Sequence, residues 1–221
     1  EDSPIARTVT AVATPASAPQ GSGVRAILNG TSQYYTAPDT ANLSFGNATA
    51  DSAFSIVAWV NITNTGAIRD ILAKLDGTTG VTKREFEFYI DSSDLLTMNM
   101  WDESAGAYIG RSYSVAITQG SMIFVAMTYD ATEASSGIKL YRADGTNALA
   151  LVDNGNSQGG TYVAMEDTAS LLYGGANQGA AAMQSYFSGS IAAVGLVAAT
   201  LTLGDLWAMK HFGNAYFGLA L

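Results

Sequence analysis

With 221 residues the chain has room for one large β sandwich or two small domains, and length does not choose between them. Hydrophobic residues make up 48% and charged ones 13%, which supplies a core, leaves the surface to Ser, Thr, Asn, Gln and Gly, and excludes a disordered chain. Ten Lys and Arg against nineteen Asp and Glu give a formal charge of −9, and Cys is absent, so nucleic acid and anionic lipid are poor partners while disulfide frameworks and thiolate metal sites are excluded.

Residues 1–24 hold three of the four prolines among Ala, Ser and Thr, a composition that favours extended backbone and reads as an N-terminal arm. Ile5, Val9 and Val12, spaced along it, suit strand addition to the sheet edge of a neighbouring copy. Residues 25–221 then read as one domain of short β-rich runs between Gly, Asn, Asp and Ser clusters. In Phe54–Ile62, Phe54, Ile56, Ala58 and Val60 share one face and Val57 and Trp59 the other, which predicts a strand covered on both sides. Arg84–Asp91 alternates with Phe86, Phe88 and Ile90 inward and Glu85, Glu87, Tyr89 and Asp91 outward, predicting a half-solvated strand.

Strands follow at Leu95–Trp101, Ala107–Val115, Met122–Tyr129 and Ile138–Arg142, the last running into Ala143-Asp144-Gly145 as a tight-turn signal. Asp153–Gly160 reads as a Gly- and Asn-rich loop, and further strands are expected at Tyr162–Met165, Ser170–Tyr173 and Phe187–Val197. Only Thr202–His211 has near-helical spacing, with Thr202 as N-cap and Gly213 as stop. Ten to fourteen strands and one short helix imply two packed antiparallel sheets, an all-β class. The longest apolar run, Ile191–Leu201, is about half of what a bilayer requires and is broken by Gly195, so no membrane insertion is expected.

Three stretches resemble the laminin-G-like, concanavalin A-like jelly roll: Tyr34–Asp39 with the Phe54-Ser-Ile-Val-Ala-Trp59-Val strand, Met122–Asp130 with Ile138-Lys-Leu-Tyr141, and Phe187–Val194 with Leu201–Leu206 and Phe212-Gly213. The likeness covers residues 26–221. It implies a two-sheet jelly-roll sandwich, a fold that serves structural modules, lectins and glucanases alike. Proteins of this kind commonly hold a structural calcium ion, for which Asp91, Asp94, Asp130 and Asp153 are the hard-oxygen candidates.

Glucanases of this resemblance carry a Glu-x-Asp strand, whereas this chain reads Glu85-Phe-Glu87-Phe-Tyr89 without the middle Asp, so a solvated acidic face is expected in place of catalysis. Gly155-Asn-Ser157-Gln-Gly159 matches a hydrolase elbow by pattern only, because loop and strand flank it, and His211 reads as a helix-end residue. The sugar-binding candidates are Tyr89, Trp101, Tyr108 and Tyr113 with Glu87, because ring stacking and carboxylate hydrogen bonds together hold saccharides. The sequence reading therefore favours a non-catalytic structural or adhesion module of a virion or extracellular filament, docked through its arm onto copies of itself or another structural protein. The alternative is a carbohydrate-binding, lectin-like domain with glycan partners, and a glucanase comes third.

Overall fold

The computed structural model describes residues 9–63, 66–78, 83–145, 148–151 and 153–221, with the side chains of 153 and 154 outside that description. Short runs punctuated by turns give, in chain order, β1 (Thr10–Val12), β2 (Ala16–Gln20), β3 (Gly23–Asn29), β4 (Tyr34–Ala37), β5 (Phe54–Ile62) and β6 (Arg69–Asp76). These are followed by β7 (Lys83–Ile90), β8 (Leu96–Asp102), β9 (Ala107–Tyr113), β10 (Met122–Tyr129), β11 (Ile138–Ala143) and β12 (Ala150–Leu151). The chain closes with β13 (Asp153–Gly159), β14 (Leu172–Gly174), β15 (Asn177–Gln178), β16 (Met183–Gln184), β17 (Ser188–Val197) and the helix α1 (Leu203–Phe217).

Two sheets result. One runs β1-β4-β14-β6-β7-β8-β9-β13 with the β15–β16 hairpin attached to β6, and the other runs β12-β11-β10-β5-β17-β3-β2. Between them lies the main core, where Phe45 stacks on Phe54 at 4.3 Å and Phe86, Phe88, Met98, Met100, Val125 and Met127 fill the gap. β5 is covered on both faces, as its pattern predicts: Phe54, Ile56, Ala58 and Val60 face this core, while Val57 and Trp59 face outward beneath α1, against Phe124, Leu206 and Phe217.

The helix begins where expected. Thr202 and Asp205 form a reciprocal capping box, satisfying two of the N–H groups that a helix start leaves unpaired. It continues past Gly213, however, and stops at Gly218, whose φ of 64° is the left-handed C-cap glycine favours. Gly213 has a packing role: a Cβ there would overlap the Trp59 ring. His211 consequently lies inside the helix with its ring 3.8 Å from that of Trp207, four residues earlier, and not at the helix end.

The described part of the expected arm runs along its own chain. β1 pairs with β4, placing Val12 opposite Tyr34, and β2 pairs with β3 through a two-residue Gly21-Ser22 connection. Gly21, with φ of 56°, supplies the positive φ that such a hairpin needs. Gln20 Nε2 donates to Phe217 O at 2.9 Å and Ser22 N to Tyr216 O at 2.7 Å, tying the segment to the end of α1. Pro19 is tolerated because β2 is an edge strand. Val9 is 58% exposed, and Ile5 lies outside the described residues.

Three local expectations change. Asp153–Gly159 is strand β13, paired with β9, and not a loop: small polar residues suffice where pairing is by backbone at an edge. Residues 162–165 are not a strand, yet they are held, with Met165 N donating to Asp51 Oδ1 at 2.8 Å. The connection after β11 is longer than a two-residue turn, since Arg142 pairs with Ala150. Among the described residues no helix is long and apolar enough to cross a membrane.

Candidate functional site

The outer face of the seven-stranded sheet packs against α1, and on the outer face of the other sheet Asn177 of the β15–β16 hairpin reaches Glu87. Alternation sends Tyr89 of β7, Thr97, Asn99 and Trp101 of β8, and Tyr108 and Ser112 of β9 to that second face. Register then aligns them in rows. Tyr89 is opposite Thr97 and Thr97 opposite Ser112; Glu87 is opposite Asn99, Asn99 opposite Gly110 and Gly110 opposite Ser157; Trp101 is opposite Tyr108.

Together with Ser157 of β13, these side chains line a shallow cleft of about 320 Å³, within the range that accepts a small ligand. Trp101, packed on Ala73 and Leu75, forms its floor beside Tyr108, and Arg84 stands with its guanidinium 5.3 Å from the Trp101 ring centre. Tyr108 lies over Gly159, where any side chain would strike the ring. Gly110 is equally required, since a Cβ there would overlap Asn99 Oδ1 and crowd Ser157 Oγ.

Hydrogen bonding leaves the cleft with spare capacity. Asn99 Nδ2 donates to Tyr89 Oη at 3.0 Å and Thr97 Oγ1 to Ser112 Oγ at 3.2 Å, while Asn99 Oδ1 is buried against Gly110 and takes no part in the open surface of the cleft. Burial, reinforced by the charges of Glu87, Asp91 and Asp70, pushes the Tyr89 phenol well above its ordinary range, so it stays protonated and retains an O–H to donate. A second cavity of about 290 Å³, beneath β1, is walled mainly by aliphatic groups such as Ala26, Leu72, Leu172 and Ile191, so it offers little to a polar ligand.

The structure separates the other sequence candidates. Tyr113 packs against the inner core and stands 5.4 Å from the Arg142 guanidinium, on the opposite face from the cleft. Glu87 is 8% exposed and Glu85 fully buried, so β7 has no solvated acidic face. The cause is a pair of bulges. Lys74 pairs with Phe86 but Leu75 with Arg84, which skips Glu85 and turns it toward Lys74 on the core side. There Glu85 forms a buried ion pair with Lys74 and accepts from Thr168 N at 2.8 Å and Thr168 Oγ1 at 2.7 Å.

Glu87 keeps the outward direction beneath the β15–β16 hairpin, where Asn177 Nδ2 donates to it at 2.6 Å. The other β6 shift, between Asp70 and Leu72, brings Asp70 to the same side, opposite Tyr89. Burial raises both carboxyls; Asp70, fully buried, is pushed well above the usual carboxylate range, with the charge of Glu87 as its second cause.

The calcium candidates do not converge. Asp91 Oδ1 accepts from Ser93 N and Leu95 N, both at 2.8 Å, closing the β7–β8 turn, and Asp94 pairs with Arg69 and accepts from Gln119 Nε2 at 3.0 Å. Asp130 ends β10 in the other sheet, bonded to Thr132, and the Asp153 side chain lies outside the description. Among the described residues no three His, Cys, Asp or Glu side chains are grouped as a metal site. Thr97, Asn99, Ser112 and Ser157 escaped the sequence reading, although the alternation of the β8 and β9 runs, counted outward from Trp101 and Tyr108, points to the first three.

Comparison with known proteins gives fold relatives at low identity. The Ruminococcus gnavus IT-sialidase CBM40 bound to alpha2,3 sialyllactose superposes with a TM-score of 0.58 at 16% identity, covering 91% of this chain and 97% of that one. The binding domain of Paraclostridial Mosquitocidal Protein 1 (TM-score 0.63, 11% identity) and the Botulinum neurotoxin serotype G binding domain (0.63, 10%) cover 96% and 99% of this chain, which in each case spans 50% of theirs. No curated protein matches the sequence. A family model matches residues 29–206, and with the two-sheet sandwich this makes the chain a member of the Concanavalin A-like lectin/glucanases superfamily.

Proposed function

We propose that this chain is a non-catalytic carbohydrate-binding module acting outside the cell, and that its glycan sits in the cleft on β7, β8, β9 and β13. The observation that carries the reading is the pairing, in one cleft, of aromatic rings from Trp101 and Tyr108 with the polar side chains of Asn99, Ser112 and Ser157 and the Tyr89 phenol, which keeps an O–H to donate. A sugar ring presents an apolar C–H face and a rim of hydroxyls, which is the complement of such a surface. Fold relatives that include a sialidase CBM40 and toxin binding domains favour the same reading.

Hydrolysis requires two carboxyls flanking one bond, about 5 to 10 Å apart in the open. Glu85 and Glu87 instead lie on opposite sides of β7 and are both buried, which supports the non-catalytic reading. The assembly reading needs an arm free to dock, and its described strands β1 and β2 are already paired within the chain.

Glycan-array screening followed by calorimetry tests the proposal. The purified chain is expected to bind oligosaccharides with micromolar to millimolar affinity, and Asn99→Ala, with its folding checked by a melting curve, is expected to weaken binding at least tenfold. Binding unaffected by Asn99→Ala, or absent across a broad array, refutes it.

A further inference from the structure

The cleft is lined by rings, hydroxyls and one amide, and among the described residues no Lys, Arg or His side chain lines it. The nearby cations are committed elsewhere. Arg84, over the Trp101 ring, gives its Nε–H to the Glu103 carboxylate. Arg111 is on the same strand as Tyr108 but is in register with the core residue Met98, and its Nη1 donates to Ser135 O at 3.3 Å. Arg69 and Lys74 are fully buried in pairs with Asp94 and Glu85.

Acidic groups occupy the adjoining positions. Glu87 is in register with Asn99 and Asp70 with Tyr89, so the row bordering the cleft on the β6 side carries two carboxyls, in a chain with a formal charge of −9. A ligand carboxylate placed here would exchange its hydration for the neutral donors that line the cleft, close to the Glu87 carboxylate, and burying a charge without a partner is unfavourable.

We infer that the cleft, read as the glycan site proposed above, selects neutral sugars and discriminates against sugars bearing a carboxylate, such as sialic or uronic acids. The neutral sugar's hydroxyls match the Tyr89 O–H and the side chains of Asn99, Ser112 and Ser157, and its C–H face matches Tyr108 and Trp101. The sialyllactose in the name of one fold relative therefore does not carry over to this chain.

Matched pairs decide the matter: neutral galactosides and glucosides, each against its sialyl- or glucuronyl-capped form, titrated into wild type, Tyr108→Ala and Ser157→Lys. Wild type is expected to bind the acidic member at least tenfold more weakly. Tyr108→Ala should lose neutral binding. Ser157→Lys, a change on a partly exposed edge strand, places a cation at the rim and is expected to narrow the gap to within about threefold. Melting curves confirm that each variant is folded. Equal or tighter binding of acidic members that is still lost in Tyr108→Ala overturns the selectivity and leaves the site standing. Binding that ignores Tyr108→Ala, or no binding of either member, removes the proposed site and this inference with it.

Discussion

Replacing Asp70 with Asn is expected to stabilise the protein, and to do so more strongly as pH rises. Asp70 is fully buried opposite Tyr89, close enough to Glu87 and Asn177 to feel their charge and dipole, yet neither of its oxygens makes a well-formed hydrogen bond. The groups facing the pair are Asn177 from the hairpin, Arg84, which favours ionised Glu87, and Tyr89, which stays protonated. Folded Asp70 therefore holds its proton above the pH, about 3.9, at which the unfolded chain releases it. In that window the folded state binds more protons than the unfolded one, so stability is complete below the unfolded value and is lost as pH rises toward the folded one. Each unit of the window costs about 1.4 kcal/mol. The amide introduced by Asp70→Asn would imitate the protonated acid, and its N–H could donate to Glu87. The expected gain is near zero at pH 4 and grows by about 3 to 5 °C in Tm for each pH unit of that window, at roughly 2 to 4 °C per kcal/mol for a chain of this length. Asp51 and Glu85, also raised by burial, tilt wild-type stability in the same direction, while Asp102 and Asp205, lowered by hydrogen bonds from neighbouring groups, act in the opposite sense at acid pH. Thermal melts of both proteins at matched pH cancel these terms in the difference. A difference that does not vary with pH, or an Asp70→Asn protein less stable than wild type at pH 7.5, refutes the argument.

Two further outcomes follow from packing and hydrogen bonding. Gly213→Ala should destabilise by about 1 to 3 kcal/mol despite the better helix propensity of Ala, because its Cβ overlaps Trp59, whereas Gly204→Ala, exposed near the start of the same helix, should stabilise by about 0.5 to 1 kcal/mol; urea melts followed by Trp fluorescence read both. Asp51→Ala should cost about 2 to 4 kcal/mol by the same assay, because it leaves the Tyr129 and Tyr162 hydroxyls, each 2.7 Å from Oδ2, and Met165 N without their acceptor.

The strands with strong alternation were legible in the sequence: β5 with two apolar faces, β10 and β17 as nearly continuous apolar runs, and the Thr202 cap of α1. What escaped was decided by backbone geometry that side-chain periodicity does not encode. The Gln20-Gly21-Ser22-Gly23 hairpin was hidden inside a stretch whose prolines suggested a free arm, although a two-residue Gly-containing connection is itself a hairpin signal. β13 has no hydrophobic period at all, because its pairing with β9 relies on backbone groups. Of the site, the aromatic residues are legible by type, but the amide and hydroxyl positions depend on the register of three strands, and Tyr113, a candidate by type, falls on the other face because the outward row on β9 runs through Tyr108, Gly110 and Ser112.

The two glutamates of β7 show how a single added residue redirects chemistry. In an unbroken strand Glu85, Glu87 and Tyr89 would share one face, presenting two carboxylates and a phenol in line, with spacing suited to acid and base work. The skipped residue between the Lys74–Phe86 and Leu75–Arg84 pairs instead sends Glu85 to Lys74 and brings Arg84 outward, over Trp101. The same sheet is thereby left with one outward glutamate, held under Asn177, and with an aromatic floor whose neighbouring cation is already paired with Glu103. The binding without hydrolysis proposed for the cleft traces to that bulge. Local backbone geometry, more than the choice of residues on β7, therefore governs what this face of the sandwich can recognise.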